Sequence, residues 1–238
     1  PDAGEEFLRD VLLAELRRLR KELGEDYPRV FVVLGNDDPR VVEDSLIEAA
    51  DGGLLSYMHK RKESFGRWAV FGYSNTPPSP FLLKDWESYD VSRFVDPGCV
   101  SPEEGWRTVE VAPDDVQFGT IAEDLVVLAG SDDLANAVFL FHAPPHESNL
   151  DRAALDGRCV DHAPLDVHVG SIAIRRFIET SQPLLTLHGH VHESARITGS
   201  WRDRIGRTTL LSGAHDGPEL ALVRFALENP SKAVRELL

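Results

Sequence analysis

Three strand-length apolar runs, each ending at a residue able to bind a ligand, restrict this chain more than any other feature. They are Val30-Phe31-Val32-Val33-Leu34 before Gly35-Asn36, Ala137-Val138-Phe139-Leu140-Phe141 before His142, and Leu184-Leu185-Thr186-Leu187 before His188-Gly189-His190. A strand that is apolar at successive positions has no solvent face. It must be covered on both sides, as in an α/β sheet with helices packed on each face. The run from Arg29 to Leu34 is therefore expected to be a central strand. Loops leaving the carboxyl ends of such strands are where ligands sit in open α/β folds, so Asn36, His142 and the histidines from His188 to His192 are the first candidates for function.

Helical periodicity fills the intervals. Leu8, Leu12, Leu16, Leu19 and Leu23 recur at steps of three and four and predict a helix from Glu5 to Leu23, stopped by Gly24. Further helices are predicted after Pro39, with Asp37 or Asp38 as the N-cap, over Gly119 to Ala129, and over Ile172 to Thr180 with Ser171 as the cap. Strands are expected at Trp68–Phe71 and Thr108–Val111, and antiparallel ones at Ala195–Ile197, Thr208–Leu211 and Leu220–Phe225. These make the sheet mixed. No repeat or linker divides residues 1–238, which read as one domain.

Residues 51–114 are patterned more loosely. Pro77, Pro78 and Pro80 remove backbone donors and make an irregular loop. The aromatics Tyr73, Phe81, Trp86, Tyr89 and Phe94 argue for order, either as an insertion overhanging the site or as an ordinary satellite core. Lys84 and Arg93 are expected at the surface, with contact to a phosphate as the alternative.

The net charge of −15, from 25 basic and 40 acidic residues, argues against a nucleic-acid backbone or an anionic membrane as the main partner. It leaves nucleic acid open as a substrate. Two cysteines, Cys99 and Cys159, make no disulfide framework and no thiolate metal site. No apolar run reaches the roughly 18 residues of a membrane span. A cytoplasmic location is expected.

In an extended segment alternate residues share a side, so His188, His190 and His192 can converge beyond the sheet, and a metal ion is the expected occupant. His142 repeats the pattern of Asn36 and His190 at another strand exit. His146, His162 and His168 fall in a Pro- and Asp-rich loop and are expected to be solvated, His146 being a candidate to support the ligands from behind.

Taken in order, Gly35-Asn36-Asp37-Asp38, His142-Ala143-Pro144-Pro145 and Gly189-His190-Val191-His192 resemble the later motifs of the calcineurin-like metallophosphoesterases: GNH[DE], a single His followed by a Pro pair, and GHxH. The wider run from Leu187 to Ser194 is similar to a prokaryotic phosphoesterase subgroup. The resemblance covers nearly the whole chain. It implies an α/β-β/α sandwich of two mixed sheets flanked by helices. It also implies that Asn36, His142 and His190 bind one divalent ion and His192 a second, the metals being drawn from Mn, Fe, Ni, Co or Zn. Two such ions, about 3.5–4 Å apart, would bridge and acidify a water that attacks phosphorus in line. The implied reaction is hydrolysis of a small-molecule phosphoester.

The chain departs from the family in two ways. The DxH and GD motifs of the family's first two strands are absent, so the fold is expected without its first strands and further metal ligands are expected from residues preceding Pro1. Asp37 stands where the family has a histidine that contacts phosphate and helps protonate the leaving group. Asp37 is thus the catalytic candidate, with a preference for diesters or activated monoesters, and Asp38, His146 and His188 are candidates to support substrate or ligands. The alternative is a binding module on the same fold, as in the retromer subunit that resembles this family; metal content and diesterase activity discriminate the two.

Overall fold

The computed structural model describes residues 6–238. A π-helical stretch, Phe7–Leu13, runs into α1 (Ala14–Leu23), which ends at Gly24. Glu5, the expected start, lies outside the described residues. Next come β1 (Phe31–Val32), α2 (Glu43–Asp51), β2 (Ser56–Tyr57), β3 (Arg61–Phe65) and β4 (Trp68–Tyr73). A long irregular segment leads to α3 (Pro113–Phe118) and α4 (Ile121–Ala129), then β5 (Ala137–Phe141). A small hairpin, β6 (Cys159–Val160) and β7 (Ala163–Pro164), precedes α5 (Ile172–Ser181) and β8 (Leu185–His188). The chain closes with α6 (Ser194–Thr198), β9 (Arg202–Ile205), β10 (Thr208–Ser212) and the hairpin β11 (Ala221–Ala226) and β12 (Asn229–Leu237).

The principal sheet is mixed, with strand order β3-β4-β5-β8-β10-β9. Its four inner strands are parallel, and antiparallel edges are added by β3 and β9. The inner strands therefore release their loops at one end of the sheet. That end carries the residues after Tyr73, His142, His188 to His192, and Gly213. On one face Phe71, Phe139 and Phe141 stack in register and pack with Ile121 and Leu125 of α4 and Ile174 and Ile178 of α5. The other face carries Val138, Leu185 and Leu211 with residues of the terminal hairpin. Burial of these side chains stabilises the fold by roughly 1.5–3 kcal/mol each.

Four expectations are corrected. Arg29 to Leu34 is not a central strand: β1 is two residues long, half-buried, and pairs among the described residues with β2 alone. Its apolar run is satisfied by side chains instead. Leu34 joins Leu8, Leu13, Val42 and Leu46 in a second core, while Phe31 meets the edge of Phe65 and lies under the Arg29 guanidinium. Thr108–Val111 is not a strand, because Thr108 is tied by its backbone and hydroxyl to the Asp85 carboxylate. Ala195–Ile197 lies in α6, where Ile197 N–H donates to Glu193. Neither Asp37 nor Asp38 caps a helix: Asp38 instead accepts from Gly35 N–H at 2.8 Å, and the next turn begins at Pro39.

The expected Ser171 cap is present, its hydroxyl accepting from Ile174 N–H. β10 is parallel to β8 and antiparallel only to β9, which the alternation of Thr208–Leu211 did not distinguish. The segment 51–114 is ordered by its aromatics in part: Tyr73, Trp86 and Tyr89 are buried, whereas Phe81 and Phe94 are exposed. Its Asp90 carboxylate accepts from Ser171 Oγ and from the N–H groups of Ile172 and Ala173, which fixes the segment to the start of α5.

Candidate metal centre

Gly35 to Asp38 form a turn closed twice. Asp38 N–H donates to Gly35 O at 3.0 Å, and the Asp38 carboxylate takes Gly35 N–H. This leaves Asn36 pointing inward, 8% exposed, and Asp37 outward. The Asn36 amide nitrogen donates to Asp37 Oδ1 at 3.2 Å, so its oxygen faces the opposite way.

Two imidazoles meet that oxygen. His142 Nε2 lies 2.9 Å and His190 Nδ1 2.8 Å from Asn36 Oδ1. Three residues separated by 106 and 154 positions thus bring one oxygen and two nitrogens to a single point. Gly35 makes room for this arrangement: a Cβ there would fall 2.3 Å from His142 Cε1. His190 reaches the point through a tight turn in which Val191 N–H donates to Gly189 O at 2.9 Å while His190 adopts φ +70°. Such a turn is strained for a residue with a Cβ, at roughly 1–2 kcal/mol, and persists where the surroundings over-determine it.

Burial holds the His142 ring's pKa down at about 3, with the nearby His190 and His192 adding to the effect. Burial likewise lowers His190 to about 4, against the opposing charges of Asp37 and Glu193. Both rings are neutral at pH 7; because an amide oxygen only accepts, His142 Nε2 and His190 Nδ1 carry the N–H in this metal-free arrangement, and a metal ligated through them would require that proton to move to the other ring nitrogen. An amide oxygen with two imidazoles is a donor set suited to a borderline divalent ion. Asn36 and His190 line a cleft together with His192 and the acidic residues Asp37 and Glu193. Among the described residues no three His, Cys, Asp or Glu side chains are grouped so as to hold a metal; the convergent set here is two imidazoles and an amide.

His188 does not join them. It is buried inside β8, with Nδ1 2.9 Å from Ala143 O and Nε2 2.7 Å from Thr186 Oγ1, and it stacks on Phe141. The first contact makes Nδ1 the protonated nitrogen, so Nε2 accepts the Thr186 hydroxyl. This ring clamps the exits of β5 and β8 together and so spaces His142 from His190. His192 is exposed at the cleft. Burial raises the Asp38 pKa, opposed by its bond from Gly35 and aided by the Asp37 charge.

His146 and His168, expected to be solvated, are half-buried and paired. His146 Nε2 lies 3.1 Å from Asp166 Oδ2, and His168 Nδ1 lies 2.9 Å from the fully buried Asp151. His146 is absent from the cleft lining. Lys84 is not at the surface: it is completely buried and ion-paired with Glu87. Arg93 is exposed and bonded to Glu103 at 2.6 Å.

The cleft, about 310 Å³, has a second wall of Pro77 to Phe81, from the 51–114 segment for which overhang of the site was one of two expectations, with Cys99, Ala153 and Val169. Burial, with the charges of Asp96 and Glu87, pushes the Cys99 thiol up to about 11. The metal-free thiol is therefore protonated at neutral pH. The proline cluster was the available signal for the loop, but nothing in it located the partner wall.

No sequence model of a known family matches this chain, and no curated protein does. Solved structures are similar to it, among them two that align with nearly its whole length. One aligns over 98% of this chain and 74% of its own, with a TM-score of 0.54 and 16% identity. The other, TT1561 of Thermus thermophilus, aligns over 94% of this chain and 77% of its own, with a TM-score of 0.51 and 18% identity. The likeness is one of fold. Among the described residues no helix is long and apolar enough to cross a membrane.

Proposed function

We propose that this chain is a metal-dependent phosphoesterase of the calcineurin-like kind, with a two-sheet metallophosphoesterase architecture, acting on a phosphodiester or an activated monoester. The observation that carries the reading is the meeting of Asn36 Oδ1, His142 Nε2 and His190 Nδ1 at one point. These are the three residues to which the motif resemblance gives one ion. His192, on the same cleft, is the residue to which it gives the other. With divalent ions bound by these residues, the site would have Lewis acidity toward a phosphoryl group and a water activated at neutral pH.

The chain's own residues then divide the work. Asn36 is oriented by Asp37, and His142 and His190 are kept neutral by burial. Asp37 and Glu193 set the substrate's charge, since their carboxylates face the cleft and repel a phosphate dianion more than a diester monoanion.

Elemental analysis of the purified chain, alongside turnover of bis(p-nitrophenyl) phosphate, tests this. Bound Mn, Fe, Ni, Co or Zn and diesterase activity are expected, and Asn36→Ala or His142→Ala should lower both at least tenfold. Wild-type protein that retains none of these metals when they are supplied, and cleaves no diester, would refute the proposal in favour of a binding module.

A further inference from the structure

The two walls of the cleft differ in what they offer a ligand. The donor wall is polar. Across from it, the loop from Pro77 to Phe81 presents side chains and almost no hydrogen-bond donors. Pro77, Pro78 and Pro80 have no N–H. Ser79 N–H is spent on Glu87 Oε2 at 2.8 Å, its hydroxyl is bonded to the same carboxylate, and Phe81 N–H is spent on Ser79 Oγ at 3.1 Å. The loop's nearest cation, Lys84, is buried, paired with Glu87, and donates to Ser79 O at 3.0 Å, so it fastens the loop from behind. Among the described residues no Lys or Arg lines the cleft, whereas Asp37 and Glu193 do. Phe81 stands at its edge, 61% exposed.

From this we infer that the Pro77–Phe81 wall selects the substrate: it takes the uncharged planar organic group of an ester carrying a single phosphoryl group, and it excludes molecules with a second anionic group. The inference rests on the phosphoesterase reading and adds the substrate class. A phosphoryl group at the donor wall leaves its organic substituent against the prolines and Phe81, where an apolar ring is desolvated favourably. A second phosphate in that place would meet no free N–H and no cation, in a cleft that already carries Asp37 and Glu193, and an anion without partners is costly. The volume, near the lower end of small-molecule pockets, fits a compact ester. Phe81 is a specificity residue in this scheme.

Calorimetric titration of the metal-supplemented full chain with phenylphosphonate, methylphosphonate and methylenediphosphonate tests it without turnover, and benzyl alcohol followed by NMR serves as the ring alone. Phenylphosphonate should bind at least about tenfold more tightly than methylphosphonate, with methylenediphosphonate weakest. Phe81→Ala should remove the advantage of the ring. Phe81→Arg, at an exposed position that leaves folding intact, should raise methylenediphosphonate affinity above that of phenylphosphonate. Equal binding of phenyl- and methylphosphonate, or a ring advantage unchanged in Phe81→Ala, overturns the wall and leaves the phosphoesterase reading standing. Benzyl alcohol binding as well as phenylphosphonate overturns the ester and with it the phosphoesterase reading. If no probe binds, both are overturned.

Discussion

Two pairs of histidines lie near the same end of the sheet and have opposite surroundings. His142 and His190 face a neutral amide oxygen, with no carboxylate within hydrogen-bond distance among their bonds. His146 and His168 each face a carboxylate, Asp166 and Asp151 respectively. Asp151 is itself a hub, accepting from the N–H groups of Glu147, Ser148 and Gly170. A ring held against an acid is occupied by that acid and serves to fix a loop. Rings that donate to a neutral oxygen hold no ion pair that an incoming cation would have to break. Residue type is the same in both pairs, and only the partner separates structure from chemistry.

The largest effect that would sharpen this contrast is expected at the hub. Asp151→Ala strands the buried N–H groups of Ser148 and Gly170, the half-buried one of Glu147, and His168, and should lower stability by at least about 3 kcal/mol, read by urea denaturation. Metal content per folded molecule should not change. A loss of metal with stability intact would show that the acid-paired histidines, and not the amide-facing ones, form the centre.

Acid titration of the metal-free protein should give an effect of a few kcal/mol. His142, His188 and His190 have folded pKa values lowered to between about 3 and about 4, chiefly by burial. Between roughly pH 6.5 and pH 4 the unfolded chain binds protons that the folded chain refuses, so stability is full above that window and falls as pH falls through it. His188→Gln, which keeps hydrogen-bonding groups but cannot titrate, should flatten the slope by up to one proton. An unchanged slope would remove the buried neutral ring from the account.

The smallest effect concerns the backbone. His190→Gly relieves the positive φ and should raise stability of the metal-free chain by about 1 kcal/mol, as thermal denaturation would show, while metal binding is lost. If glycine destabilises there, the turn is not strained and the ring's packing dominates.

Much of this arrangement was legible beforehand. Ala137–Phe141 and Leu185–Leu187 are inner strands because their apolar runs have no solvent face, and the polar residues at their exits are those that gather. The apolar run around β1 misled because burial does not demand a sheet: Phe31 and Leu34 found helices and a neighbouring ring instead. Ala195–Ile197 is too short for its alternation to outweigh a helical turn. Spacing placed His188, His190 and His192 on one side of an extended segment, but the turn at His190 breaks the extension, so the three rings go to three environments. For residues 51–114 the aromatics left overhang of the site and a satellite core both open, and no local pattern brings residues 77–81 to one cleft with Ala153 and Val169.

That wall has a consequence beyond the donors it lacks. Three of its five consecutive residues have φ locked by a ring, and Ser79 between them is bound on both its N–H and hydroxyl. The loop therefore has little conformational freedom left to lose when a ligand arrives. Ordering a mobile loop commonly consumes part of the interaction energy; here that cost was met at folding, and contact with Phe81 and the prolines can pass almost undiminished into affinity.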